Sequence, residues 1–130
     1  MTTAIDPRAP RRAAERRGRR AELAAVWLLR LKGFRVIARR YRTPVGEIDL
    51  IARRGRTIVF VEVKQRPDDA AALDAVTAAA RKRIARAADL WLSRHPAAVG
   101  FDRRFDVILA LPRSIPRHLT SVFDDAGRFW

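Results

Sequence analysis

A chain of 130 residues, 48% hydrophobic and 32% charged, is long enough for one buried core and too apolar to stay disordered. It has no cysteine, which excludes disulfides, thiolate catalysis and cysteine-ligated zinc. Twenty-eight cations against fourteen anions leave +14, and 25 of those cations are arginine; that is the footprint of a polyanion binder or, more blandly, of a protein kept soluble by its charge.

Residues 1–12 contain Pro7, Pro10 and several arginines, and read as a flexible basic arm. They lack the apolar stretch of a secretory leader, so a cytoplasmic protein is expected. A single domain is expected over residues 13–130. It opens with a helix over 13–32, where Leu23, Val26, Trp27 and Leu31 recur at three- and four-residue spacing and Gly33 supplies the stop. Residues 34–41 read as a strand, and Thr43-Pro44-Val45-Gly46 as a turn. The next two strands cover 47–52 and 57–64, joined by Arg53-Arg54-Gly55-Arg56. Residues 57–64 are mostly apolar on both faces, as in a strand covered on both sides.

A loop over 66–71 leads to a second helix over 73–94. Val76, Ala80, Ile84, Ala87, Ala88 and Trp91 mark its buried side, and Arg81, Arg83 and Arg86 its polar side. A strongly apolar fourth strand spans 104–111, and the remainder is a tail whose Val122, Phe123, Phe129 and Trp130 are expected to pack back onto the core. Trp27 and Trp91 both read as core residues. No apolar run reaches the roughly 18 residues of a membrane span. The expected fold is α/β in the order α-β-β-β-α-β, a mixed central sheet flanked by helices.

Chemistry concentrates in Gly46-Glu47-Ile48-Asp49-Leu50-Ile51 and Phe60-Val61-Glu62-Val63-Lys64. With Gly55 and Arg56 as the central turn residues, Asp49 falls directly opposite Glu62, and Glu47 opposite Lys64. Period two then places all four on one face. Opposed like charges destabilise a hairpin. A divalent cation would offset the repulsion, with Mg²⁺ taking one or two carboxylates, waters and phosphate oxygens. The alternative is a surface charge ladder in which each acid pairs with a nearby cation. Glu22 falls inside the apolar stripe of the first helix and so points toward the sheet, either as a further metal or water ligand or as a salt-bridge partner of Arg19 or Arg30.

Glu22, the Gly46–Ile51 segment, Phe60-Val61-Glu62-Val63-Lys64 and Arg104-Phe105-Asp106-Val107 together resemble the YraN family of bacterial proteins over residues 18–110. That family is similar to the restriction-endonuclease-like superfamily, near the archaeal Holliday-junction resolvases. The resemblance implies a restriction-endonuclease-like core and a metal-dependent phosphodiesterase. It implies that Asp49 and Glu62, with the Val63 carbonyl, hold Mg²⁺ or Mn²⁺, that Lys64 serves the attacking water, and that Glu22 completes the site. It also implies that Gly46 permits a tight entry to its strand. Two departures stand out: Ala80 replaces a lysine usual in the second helix, with Arg81 or Lys82 as the nearest substitutes, and Arg40 stands where asparagine is common. Asp106 has no implied role beyond partnering Arg104.

His95 and His118 are isolated, no serine has a nucleophile elbow, and no glycine-rich loop cradles phosphate. The activity the resemblance implies is endonucleolytic cleavage of DNA, branched or structured DNA included, with RNA as the second nucleic acid. Arg19, Arg42, Arg53, Arg54, Arg56, Arg81, Arg83 and Arg86 would track phosphates. A homodimer is expected, since cutting two strands requires two sites. The alternatives are a non-catalytic nucleic-acid-binding module with a vestigial site, and an assembly factor that meets an acidic partner.

Overall fold

The computed structural model describes residues 7–111 and 113–130, apart from the side chains of Ala13 and Ala14. Helix α1 (Ala9–Leu31) carries Pro10 in its first turn, where a missing N–H is harmless, and ends before Gly33 at φ +86. The expected arm therefore lies partly outside the described residues, at 1–6, and its residues 9–12 are already helical.

The buried face of α1 is rotated from the expected one. Ala21, Glu22, Ala25, Val26 and Leu29 face the sheet, while Leu23, Trp27 and Leu31 are 46%, 56% and 83% exposed. The small alanines let the helix axis approach the strands. The bulkier stripe is left on the flank, where the Arg30 guanidinium lies 5.6 Å from the Trp27 ring centre.

Strands β1 (Arg35–Thr43), β2 (Gly46–Arg54) and β3 (Thr57–Lys64) form an antiparallel meander. Strand β4 (Asp102–Leu109) lies parallel to β3, and β5 (Arg117–Phe123) is antiparallel to β4, giving a mixed sheet in the order β1-β2-β3-β4-β5. A parallel pair needs a long crossover. Helices α2 (Asp69–Ala75) and α3 (Ala78–Ser93) and the 3-10 turn Pro96–Ala98 supply it. The single helix expected over 73–94 is thus two, and the loop expected over 66–71 already contains the start of α2. Asp68 caps α2 by accepting the Ala71 N–H at 2.8 Å, and Thr77 caps α3 by accepting the Ala80 N–H at 3.2 Å. The buried Val76 sits at the break between them.

Two cores sandwich the sheet. On one face Ala25, Val26 and Leu29 of α1 pack on Leu50, Ala52, Val59, Val61 and Ile108. On the other, Ile84, Ala87, Ala88 and Trp91 of α3 pack on Ile51, Ile58, Phe60, Phe105 and Phe123. Of the expected tail residues, Phe123 is buried and Val122 packs on the core, whereas Phe129 and Trp130 are 48% and 82% exposed. Trp91 is core as expected and Trp27 is not. No helix among the described residues is long and apolar enough to cross a membrane.

Candidate active site

The β2–β3 hairpin turns at Gly55, whose φ of +60 suits glycine. Its ladder runs from Arg54–Thr57 to Leu50–Val61, which is the register the turn predicts. It stops one pair short of Asp49 and Glu62. Beyond that point the Val63 N–H donates to Asp49 Oδ2 at 2.8 Å, so a side chain replaces the main-chain partner. The strands part there, and Asp49 and Glu62 come within hydrogen-bond reach of each other.

Glu47, Asp49, Glu62 and Lys64 line one cleft of about 330 Å³, walled by Ala80, Arg83 and Ile84 of α3. Period two along β2 and β3 brings the four together, and close helix packing closes the cleft over them. Gly46 makes that packing possible: a Cβ there would lie 2.7 Å from the Arg83 carbonyl oxygen. Burial pushes the Glu62 carboxyl up to about 9, helped by the hydrogen bond and charge of Asp49 and opposed by Lys64. At neutral pH Glu62 therefore keeps a proton and shares it with Asp49.

A second carboxylate on the same face cannot easily shed its charge unless a cation or proton arrives, and the proton is what fills that role here. Among the described residues no three His, Cys, Asp or Glu side chains converge as a ready-made metal cage. Two neighbouring carboxylates facing an open cleft nonetheless fit Mg²⁺ or Mn²⁺, which keep several waters and accept few protein ligands.

Glu22 is buried and faces the sheet, as its place on the helix predicts, but it does not line the cleft. It receives Arg39 Nε at 3.1 Å and Arg40 Nε at 2.9 Å, not Arg19 or Arg30. The salt-bridge alternative is thus met with other partners: two guanidiniums of β1 hold its carboxylate. Arg40 is the link between the two groups of acids. The Glu22 hydrogen bond and charge hold its guanidinium above the usual range, with smaller contributions from Glu47 and Asp49. Its φ of +51 is rare for a residue with a side chain and interrupts β1 between the Arg39–Leu50 and Tyr41–Ile48 pairs.

The arginines expected to track phosphates divide. Arg83 lines the cleft and Arg86 is exposed on the same helix. Arg42 lies 3.7 Å from Glu47, and Arg19 is 3.7 Å from Glu15. Arg53 and Arg56 stack on Phe101 at 4.5 and 4.9 Å, and Arg54 on Phe34 at 4.3 Å. These three sit at the turn end of the hairpin, about 13 Å or more of strand away from Asp49. Arg81 is committed to the fold: it donates to the Gly127 and Val76 carbonyls at 2.8 and 2.6 Å and covers the Phe129 ring. The helix cation at the cleft is thus Arg83, one turn beyond Ala80, rather than Arg81 or Lys82.

Asp106 anchors a separate network. Fully buried, it accepts from Arg104 Nε and Nη2 at 2.9 and 2.8 Å, from His118 Nε2 at 2.7 Å and from the Ser121 N–H at 2.9 Å. The pairing with Arg104 is the one sequence reading assigns; the His118 contact is not, because nothing local marks residues 117–123 as a strand. Lys32 Nζ lies 2.9 Å from His118 Nδ1, which fixes the ring with its Nε2 proton toward Asp106.

Comparison with known proteins identifies one family. A family model described as "Uncharacterised protein family UPF0102" matches residues 21–110. A UPF0102 protein of Methylorubrum extorquens is 50% identical over 127 residues, covering 98% of this chain and 99% of that protein. Another from Parvibaculum lavamentivorans is 52% identical over 111 residues, covering 85% of this chain and 84% of that one. A third, from Rhizobium johnstonii, is 50% identical over 118 residues, with 91% of this chain and 97% of that protein covered. With end-to-end similarity of this kind and a matched model over most of its length, the chain belongs to the UPF0102 family.

Proposed function

We propose that this protein is a divalent-cation-dependent endonuclease that hydrolyses phosphodiester bonds in DNA, with branched or structured DNA as its substrate class. The observation that carries the proposal is the cleft itself: Glu47, Asp49, Glu62 and Lys64 converge where the β2–β3 ladder opens, with Arg83 on the facing wall. The order α1-β1-β2-β3-helices-β4 is compatible with a restriction-endonuclease-like core, and the Asp49, Glu62, Lys64 set resembles that of archaeal Holliday-junction resolvases.

Asp49 and Glu62 would hold Mg²⁺ or Mn²⁺, with the Val63 carbonyl as a further donor. The bound ion would polarise the phosphodiester and favour ionisation of water. Lys64 orients the attacking water and steadies the negative charge that grows on the phosphoryl oxygens. Arg83 draws the phosphate into the cleft. The attacking water gives a proton to solvent, its oxygen bonds to phosphorus, the bond to the leaving oxygen breaks, and that oxygen takes up a proton from solvent. Glu22 positions Arg40 beside the acids and touches no reacting atom. A cytoplasmic protein acting as a homodimer, so that two strands can be cut, belongs to the same proposal.

Incubation of linear, flapped and four-way DNA with Mn²⁺ tests it. Cleavage should fall by about 100-fold or more in Lys64→Ala and Asp49→Asn, in line with loss of a group acting on transition-state charge. Cleavage that is absent on every substrate, or indifferent to both substitutions, would overturn the reading. A non-catalytic binding module is the second reading, favoured by the proton already held between Glu62 and Asp49. It predicts salt-dependent DNA binding and no calorimetric Mn²⁺ site sensitive to Glu62→Ala.

A further inference from the structure

A larger concavity lies on the opposite face of the sheet from the acid cleft, between α1 and the ends of β3 and β4. Its volume is about 720 Å³, within the range of pockets that hold small organic groups. Arg17, Arg20, Arg66 and Arg113 surround it. Among the described residues no carboxylate lies within ion-pair distance of any of these four, whereas Arg39, Arg40, Arg104 and Arg117 each hold one. Gln65 Nε2 donates to the Arg17 carbonyl at 2.7 Å and pins the wall of α1 to the end of β3. The floor is apolar: Ala21 and Ala24, one turn apart on α1, leave room above Leu111.

A rim of guanidiniums without a carboxylate partner, of which Arg66 also donates to the Gln65 carbonyl at 2.7 Å, over an apolar floor suits a ligand that is anionic at its edge and flat and poorly hydrated in its body. A paired duplex offers only phosphates, because its bases are stacked inside. An unpaired nucleotide offers both. The groove lies on the α1 side of the sheet and the cleft on the α3 side, and the end of β3 divides them: Lys64 lines the cleft, and Gln65, the next residue, lines the groove.

We infer that this groove binds a single-stranded segment of nucleic acid, its phosphates on Arg17, Arg20, Arg66 and Arg113 and a base against the Ala21, Ala24 and Leu111 floor. The segment runs over the end of β3 toward the cleft. That continuity rests on the nuclease reading; binding in the groove does not. The substrate class becomes DNA with an unpaired strand beside the cut.

The test is fluorescence anisotropy with a labelled oligothymidylate and a blunt hairpin duplex, in chelator so that nothing is cut. The double variant Arg66→Ala/Arg113→Ala should bind the single strand about tenfold more weakly and lower its log–log salt slope by about 1.4, the value for two lost phosphate contacts. Ala24→Phe, which fills the floor and removes no charge, should weaken the single strand and spare the duplex. Arg35→Ala/Arg103→Ala, an equal charge loss at the far end of the sheet, should leave both within about twofold. Single-strand affinity that is unmoved by the groove variants, equal loss for strand and duplex in Ala24→Phe, or equally effective competition by polyglutamate would each overturn the inference. Intact groove binding in a protein that cuts nothing would overturn the nuclease reading alone.

Discussion

Glu62 carries a proton that an exposed glutamate would have lost, and that proton makes the metal-free protein sensitive to pH. Its folded value near 9 lies above the ordinary 4.5, so the stability it contributes is complete below pH 4.5 and declines as pH rises toward 9. Thermal melts in chelator should therefore show a falling midpoint across that window, and Glu62→Gln should flatten it. A cation must displace the same proton, so Mn²⁺ affinity should climb over the same window by up to about tenfold per pH unit. An affinity independent of pH would mean that Glu62 is not a ligand. The two helix tryptophans make a second contrast. Trp91 meets Phe60 edge-on at 5.9 Å and stacks on His95 at 4.0 Å, so Trp91→Ala should cost about 3–5 kcal/mol by chemical denaturation. Trp27, more than half exposed, should cost about 0.5 kcal/mol or less.

At the scale of elements, what could be read from the chain followed what is local. The β2–β3 register was legible because Gly55 dictates the turn and alternation does the rest, and the acid cleft follows from that register. The inward aim of Glu22 was legible from the helical wheel, but its partners were not, since Arg39 and Arg40 reach it only after β1 docks. Arg40 adopts a positive φ at a cost that asparagine, which tolerates that conformation better, would reduce. Helices α2 and α3 fused in the reading because Val76 continues the apolar period; only the cap by Thr77 reveals the break. Strand β5 escapes a sequence reading because its Arg117, Thr120 and Ser121 are exposed and its ties are long-range: the ladder with β4, Phe123 in the core, and the His118 and Ser121 bonds to Asp106.

The ties through Asp106 are testable. His118, Arg104 and the Ser121 N–H outweigh burial and hold the Asp106 carboxyl below its ordinary 3.8. Its contribution is complete above about pH 4 and disappears as pH falls through the lowered value. Asp106→Asn should cost about 3–5 kcal/mol at neutral pH and lose that acid limb, with β5 amides exchanging first. Gly46→Ala should cost about 1–3 kcal/mol, because the Arg83 carbonyl has to retreat, and should reduce cleavage with it.

For the molecule as a whole, a charge of +14 surrounds a pocket of carboxylates flanked by Lys64, Arg83 and Arg40. A lone dication approaching that pocket meets repulsion from every side. A polyanion laid across the surface cancels the field and delivers phosphate oxygens to the same spot. On the nuclease reading, metal and DNA are thus each other's effectors, and the linkage must be mutual. In Lys64→Ala, which leaves DNA uncut, calorimetric Mn²⁺ affinity should tighten at least about fivefold when an oligonucleotide is present. Such a protein would stay idle amid abundant cellular Mg²⁺ and arm itself only at the instant it is loaded, a safeguard written into its excess of arginine.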